Sequence, residues 1–495
     1  MERALELLRS GDWLTRERVR LVAIALLIAS AASLIYLVLT AHNGIDRQGR
    51  PLGTDFSNVY AAGTYVDEGK AAASFDPQQQ FAREQAMFGA DTQFYGWHYP
   101  PFFLFVAAAL ALIPYGVALA AWQAATLALY VLTIAAIVSS FRGPRSRNPE
   151  CMIPVNEEQA PAGKVEAGRP RLWIRALARD AGPAGMTSDW LLLALAFPAV
   201  LINIGHGQNG FLTAALLGGA LVMLDRRPIL AGLLFGLLVY KPQYGVMIPL
   251  VLAVSGRWKC FAAAAVTVAV LALAATLAFG ADIWRAFLAS TEFTRTVVLE
   301  QGDTGWYKIQ SAFAWARMWG APIALAYAVQ AAVIIAIGAA LIWLWRSTVP
   351  HPLKAAALCL STILATPYSF DYDMMVLAPA IAFMAADGFA RGFGPCEKTM
   401  LAALWLTPLL ARSIAHISLI PLGVPAMLVA FAIILRRSGW PLAMAFSDAS
   451  TTMHRSPGGT SRSHDSDRHH DRVSDGVGCP LRGSDKGHDI AALKS

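Results

Sequence analysis

Apolar residues fall along this chain in long blocks separated by short polar breaks, and twelve of the blocks are candidates to span a bilayer. They cover 21–40, 116–140, 189–204, 209–224, 228–240, 242–255, 258–279, 322–345, 354–366, 373–387, 398–413 and 419–436. Only a helix satisfies its backbone hydrogen bonds within one segment in hydrocarbon, so the pattern predicts an all-α polytopic membrane protein. A water-soluble domain would have to bury a dozen wholly apolar segments, and that class is set aside. Several runs are shorter than the ~20 residues of a full crossing and are expected to be tilted, broken or extended by polar flanks.

The run PPFFLFVAAALALIP, 100–114, decides the topology. Counted as a span it makes thirteen and turns the Arg-rich loop 141–188 outward. Counted as a short interfacial or re-entrant helix, which its length suits, it leaves twelve spans with both termini cytoplasmic. Loops rich in Lys and Arg stay cytoplasmic. With twelve spans, 30 of the 40 Lys and Arg lie inside, against ten outside. The expected order is a cytoplasmic N-terminus at 1–20, a multispan domain at 21–436 and a cytoplasmic tail at 437–495. Within the domain, 41–115 is the first external loop and 141–188 a basic cytoplasmic one. The first run, Leu21 to Thr40, has no A-x-A-like cleavage site and reads as a retained span.

Composition agrees, at 56% hydrophobic and 15% charged, and the net charge of +7 matters less than where it sits. Loop 141–188 mixes Pro, Gly and charge and then offers RLWIRALAR, a basic amphipathic stretch suited to an anionic leaflet. The tail from about Ser447 is too polar to pack and is expected to be disordered. Cys151, Cys260, Cys396 and Cys479 fall on or near the cytoplasmic side and Cys359 within a helix, so no external disulfide is expected.

With this topology the unusual polar residues collect outside. The first external loop carries Asp55, Asn58, Tyr60, Tyr65, Asp67 and Glu68, a turn at Gly63, and then Trp97, His98 and Tyr99. NIGHGQNG (203–210), VYKPQYG (239–245), EQGDTGWYKIQSAF within 280–320, and TPYSFDYD (366–373) share that side. Each has a plain alternative. GQNG alone is a turn; Trp97, Tyr99, Trp306 and Tyr307 fit an aromatic belt; His98 and His206 fit interfacial positions; Asp371 or Asp373 fits a helix cap. Lys241 sits in a tight turn between two short apolar helices. It either meets an anion or snorkels to headgroups, and the two readings stand level. Asp55 lies 15 residues past the first span, flanked by Phe56 and Tyr60. A carboxylate to take a proton, a cation to hold a phosphate, and amide and aromatic groups for hydroxyl-rich rings suit sugar transfer from a lipid phosphate.

DFSNVYAAG, a following FDP, HYPPFFLFVAAALALIPYGVALAAW, GHGQNGFLTAALLGGAL, GLLFGLLVYKPQYGVMIPLVL and TPYSFDYDMMVLAPA, in this order, resemble glycosyltransferase family 87 of the GT-C superfamily. The resemblance spans roughly residues 20 to 436. It implies a GT-C-like bundle of about 12 transmembrane helices, with interfacial helices in the first external loop. It also implies an Asp in that loop as general base and a polyprenyl-phosphate sugar, usually mannose, as donor. Transfer would be inverting, to an extracytoplasmic glycolipid or glycan, at the cell's inner (plasma) membrane. Carried over by position, Asp55 is the base and Lys241 the donor-phosphate contact. The remaining candidate substrate contacts are Tyr60, His98, Tyr99, His206, Gln208, Asn209, Gln243, Asp371 and Asp373. Where related sequences often carry a His after the aromatic, this chain reads Phe370-Asp371-Tyr372-Asp373. No cofactor, metal or nucleic-acid partner is expected; DYD resembles a DxD site only in letters. The competing class is a transporter or flippase of lipid-linked or anionic substrates. Helix interiors nearly free of charge and the lack of an internal repeat count against it.

Overall fold

The computed structural model describes residues 2–140 and 183–440, with side chains omitted for 183–188. RLWIRALAR and the polar tail lie outside the described residues. Within them every regular element is helical, and β-pairing is limited to three isolated bridges.

All twelve apolar runs fall on helices. Six of these are long and apolar enough to cross a bilayer: Arg16–Thr40, Tyr115–Ser140, Trp258–Phe279, Ile323–Arg346, Asp371–Arg391 and Glu397–Ser418. A seventh crossing arises if Asp189–Leu195 and Pro198–His206, bent by 44°, count as one. The other five runs form the shorter helices Gly210–Met223, Pro228–Tyr240, Pro242–Val254, His351–Leu364 and Gly423–Arg437. Proline sets several of these breaks. Pro198, Pro228, Pro242 and Pro352 each occupy the first turn of a helix, where a missing N–H costs nothing.

Exposure separates lipid-facing helices from the centre. Only 6% of the apolar window of Arg16–Thr40 and 11% of that of Trp258–Phe279 are buried, against 78% for Asp371–Arg391. The outward side chains of the first two, among them Ile28, Leu39, Val270 and Leu277, require hydrocarbon around them. Gly210–Met223 and His351–Leu364 are buried over most of their length and form the core with Asp371–Arg391.

The run 100–114 becomes a 3-10 turn, Pro101–Phe103, and a helix, Leu104–Ala111. These 11 residues rise only ~16 Å, about half a bilayer core. They pack on the helix Phe56–Asp67, and the contact corrects the reading of Gly63. Gly63 is no turn: it lies inside that helix, where an added Cβ would collide with the Ala107 carbonyl and sit 2.7 Å from Ala111 Cβ.

A second close approach joins Pro228–Leu237 to Trp258–Phe279 through glycines one turn apart. A Cβ at Gly232 would strike the Cys260 carbonyl, and one at Gly236 would lie 2.5 Å from Thr267 Cβ. This is the small-xxx-small packing of membrane helices. Gly236→Val should therefore destabilise the fold by about 1–3 kcal/mol, the cost of overpacking. Gly116→Ala, where a Cβ meets nothing within 4 Å, should be neutral or mildly stabilising. Thermal unfolding in detergent checks both; equal midpoints for the two variants would contradict the packing.

Candidate active site

Five connections far apart in sequence meet at one end of the bundle. The Asp55 N–H donates to the His206 carbonyl at 2.9 Å. His98 Nδ1 shares a 2.8 Å hydrogen bond with Thr294 Oγ1. Ile309 and Phe370 form an isolated bridge beside a 2.7 Å bond from Gln310 N to Ser369 O. Lys241 reaches Asp373. The charge count had grouped the same connections on one side.

Asp55 is held there by two glycines. The helix Pro198–His206 ends at Gly207 in the left-handed conformation (φ 66°), with Gln208 N–H donating back to Asn203 O at 3.0 Å. Gly53 also has a positive φ, 66°, and a Cβ on Gly207 would lie 3.2 Å from Gly53 Cα and 2.6 Å from Phe56 Cβ. Only a bare backbone lets the two turns approach so closely. The approach seats Asp55 at the N-cap of Phe56–Asp67, yet its side chain makes no capping bond. Instead Asp55 Oδ2 accepts a 2.7 Å hydrogen bond from Gln208 Nε2.

Gln208 is fixed in turn. Its Oε1 accepts from Asn209 N at 3.2 Å and from Tyr99 OH at 3.4 Å, while Gln123 Nε2 donates to its backbone carbonyl at 3.2 Å. Asn209 Nδ2 donates to Tyr99 OH at 2.8 Å. Asp55 is half-buried and oriented by a neutral amide, which fixes its direction without a countercharge. Thr54 Oγ1 shares a 2.8 Å bond with His206 Nδ1. Burial pushes the His98 imidazole down to about 4, against the opposing charge of Asp55, so the ring is neutral at physiological pH.

Lys241 pairs within the protein. Its Nζ donates to Asp373 Oδ1 at 2.6 Å, with the two side chains 5% and 4% exposed. The rings of Tyr244 and Tyr372 lie 5.7 and 5.4 Å from the ammonium. Asp373 Oδ2 accepts from Phe370 N at 2.9 Å, which closes the turn. Asp371 pairs with Arg412 at 2.7 Å, the arginine side chain 39% exposed. Each acid of DYD thus faces a cation, and among the described residues no three His, Cys, Asp or Glu cluster.

Two predicted contacts stand differently. The Tyr60 hydroxyl donates to Ile113 O at 2.9 Å and its ring packs on Phe56 and Tyr115, so it braces the loop. Gln243 is half-buried beside Lys241, with no hydrogen bond from its side chain. Sequence reasoning missed Gln123, Arg412, Thr54 and Glu84. Gln123 and Arg412 carried a signal, as polar groups within long apolar helices.

The model of glycosyltransferase family 87 matches residues 97–367, more than half of the chain, and the chain belongs to that family. No curated protein and no solved structure matches it. Asp55, Asp371 and Asp373 lie outside the matched range; Gln208 and Lys241, inside it, bind Asp55 and Asp373.

The buried pair has a measurable signature. Lys241→Met should cost about 3–5 kcal/mol, because it strands a buried carboxylate. Adding Asp373→Asn, which still accepts the Phe370 N–H, should recover much of the loss. Additive losses in thermal unfolding would contradict the pairing.

Proposed function

We propose that this member of glycosyltransferase family 87 moves a hexose, mannose foremost, from a polyprenyl monophosphate to an extracytoplasmic glycolipid or glycan, with inversion and with Asp55 as general base. The family makes the chain a multi-pass membrane glycosyltransferase. The observation that carries the finer reading is the half-buried Asp55 carboxylate, aimed by Gln208 at the end of the bundle where the other polar connections converge.

In this reaction the acceptor oxygen attacks the anomeric carbon as the bond from that carbon to the phosphate oxygen breaks. Asp55 takes the hydroxyl proton, and the departing polyprenyl phosphate keeps the electron pair. The single displacement needs one base and a positively charged surround for the leaving group. Two cations pair with the acids on either side of Tyr372 in the sequence. Lys241 is sealed by Asp373, so direct contact with the donor requires that pair to open. Arg412, paired with Asp371 and with its side chain 39% exposed, is the more accessible cation. The neutral imidazole of His98 and the amides of Gln208 and Asn209, with Tyr99, suit a sugar's hydroxyls.

Lipid-facing helices suit a donor whose leaving group is a polyprenyl chain. The transporter reading is weaker, because a carrier needs a polar set reachable from both faces and this one gathers at a single end. The test offers the reconstituted protein labelled polyprenyl-phosphate mannose, glucose and arabinose with native lipids. Asp55→Asn keeps the shape and loses the basicity. It should bind donor as the unaltered protein does and lose transfer by at least ~100-fold. Full transfer by this variant would overturn the base assignment.

A further inference from the structure

Glu84 is a fully buried acid that neither the motifs nor the Asp55 geometry uses. It lies on the helix Pro77–Phe88, which Asp76 caps by accepting from Gln78 N and Gln79 N. The inward face of this helix is Gln80, Glu84 and Phe88, at i, i+4 and i+8. Two polar residues there stand where an amphipathic helix ordinarily places apolar ones.

Their hydrogen bonds form a clip. Glu84 Oε2 accepts from Tyr95 N at 3.0 Å and Oε1 from Gln80 Nε2 at 3.2 Å. Gln80 Nε2 also donates to Asn58 O at 3.1 Å, and Asn58 Nδ2 donates to Tyr95 O at 3.4 Å. The helix that Asp55 opens is thereby tied to the irregular segment carrying Trp97, His98 and Tyr99. Among the described residues no cation pairs with Glu84; Arg83, its neighbour, is turned to Glu68. Acceptors are in surplus, since Gln80 Oε1 and Asn58 Oδ1 are buried without donors. A buried carboxylate without a countercharge is costly, and a proton removes that charge while both oxygens can still accept.

We propose that Glu84 is a positioning residue for transfer: its protonated carboxyl holds the Tyr95–Tyr99 segment against the Asp55 helix, and its ionisation loosens that hold. The proposal rests on the Asp55 reading above. Burial pushes the Glu84 carboxyl up to about 7, opposed by its hydrogen bonds and reinforced by the charge of Asp55. The titratable groups within electrostatic reach are Asp55, Tyr95 and Tyr115. Tyr60 and Tyr65, on the helix packed against it, spend their hydroxyls on Ile113 O and Gln79 O.

The direction with pH follows. Between the ordinary Glu value and about 7 the folded protein holds a proton that the unfolded chain releases. The fold therefore loses stability as pH rises through that window. Glu84→Gln mimics the uncharged form, and its carbonyl can keep the Tyr95 N–H.

The experiment measures kcat, KM and the thermal midpoint of the full chain and of Glu84→Gln, between about pH 5.5 and 8.5, with a labelled polyprenyl-phosphate sugar. In the unaltered protein kcat should fall about tenfold per pH unit above an inflection near 7, whereas the midpoint should fall as pH rises toward 7 and level off above it. Glu84→Gln should lose both inflections and keep its rate at low pH. An inflection that survives in Glu84→Gln overturns the proposal, as does an altered midpoint profile with an unaltered rate profile. The midpoint needs no donor, so it judges Glu84 separately from the sugar-transfer reading.

Discussion

The site hangs on a backbone contact between two glycine turns. Gly53 and Gly207 both take left-handed conformations, and their approach lets the His206 carbonyl receive the Asp55 N–H. A side chain at Gly207 would push the first loop away from the helix end at residue 206, and one at Gly53 would strike Leu119. Asp55 would then lose Gln208, and with it the chain of amides through Asn209 and Tyr99 that gives the carboxylate one direction. Preorganisation of this kind is what a base needs if it is to meet a hydroxyl in a single displacement.

Charge follows one rule throughout this end of the molecule. Each buried ionic group is neutralised by a specific partner, as with Lys241 and Asp373 or Asp371 and Arg412. Asp55 is the exception, half-buried and held by an amide. Glu84 is a second exception, with no cation, and a proton takes the partner's place. An uncompensated carboxylate costs least where water reaches it, so a half-buried one at a polar end is a natural base and a fully buried one a natural proton holder.

Much of this was legible in the sequence, and the failures share a cause. Helix positions followed from apolar runs, and the grouping of five connections followed from charge bias, because both depend on local composition. The short runs were legible as well, and prolines at 198, 228, 242 and 352 bound several of them short of a crossing. Partner choice was out of reach. Lys241 meets an acid 132 residues away, which no spacing rule indicates. The brace from the Tyr60 hydroxyl to Ile113 O carries no local signal, and Gly63 looked like a turn and is a packing glycine. Glu84 lies in an ordinary polar stretch, where nothing distinguishes a buried acid from a solvated one.

The central claim is that one carboxylate, Asp55, serves a single displacement at the anomeric carbon, with no second acid acting as nucleophile. The most direct measurement is the anomeric configuration of the glycosidic bond in the product, compared by NMR with that of the polyprenyl-phosphate donor. The account predicts inversion. Retention would require a covalent glycosyl intermediate or attack from the leaving-group face, and would contradict it.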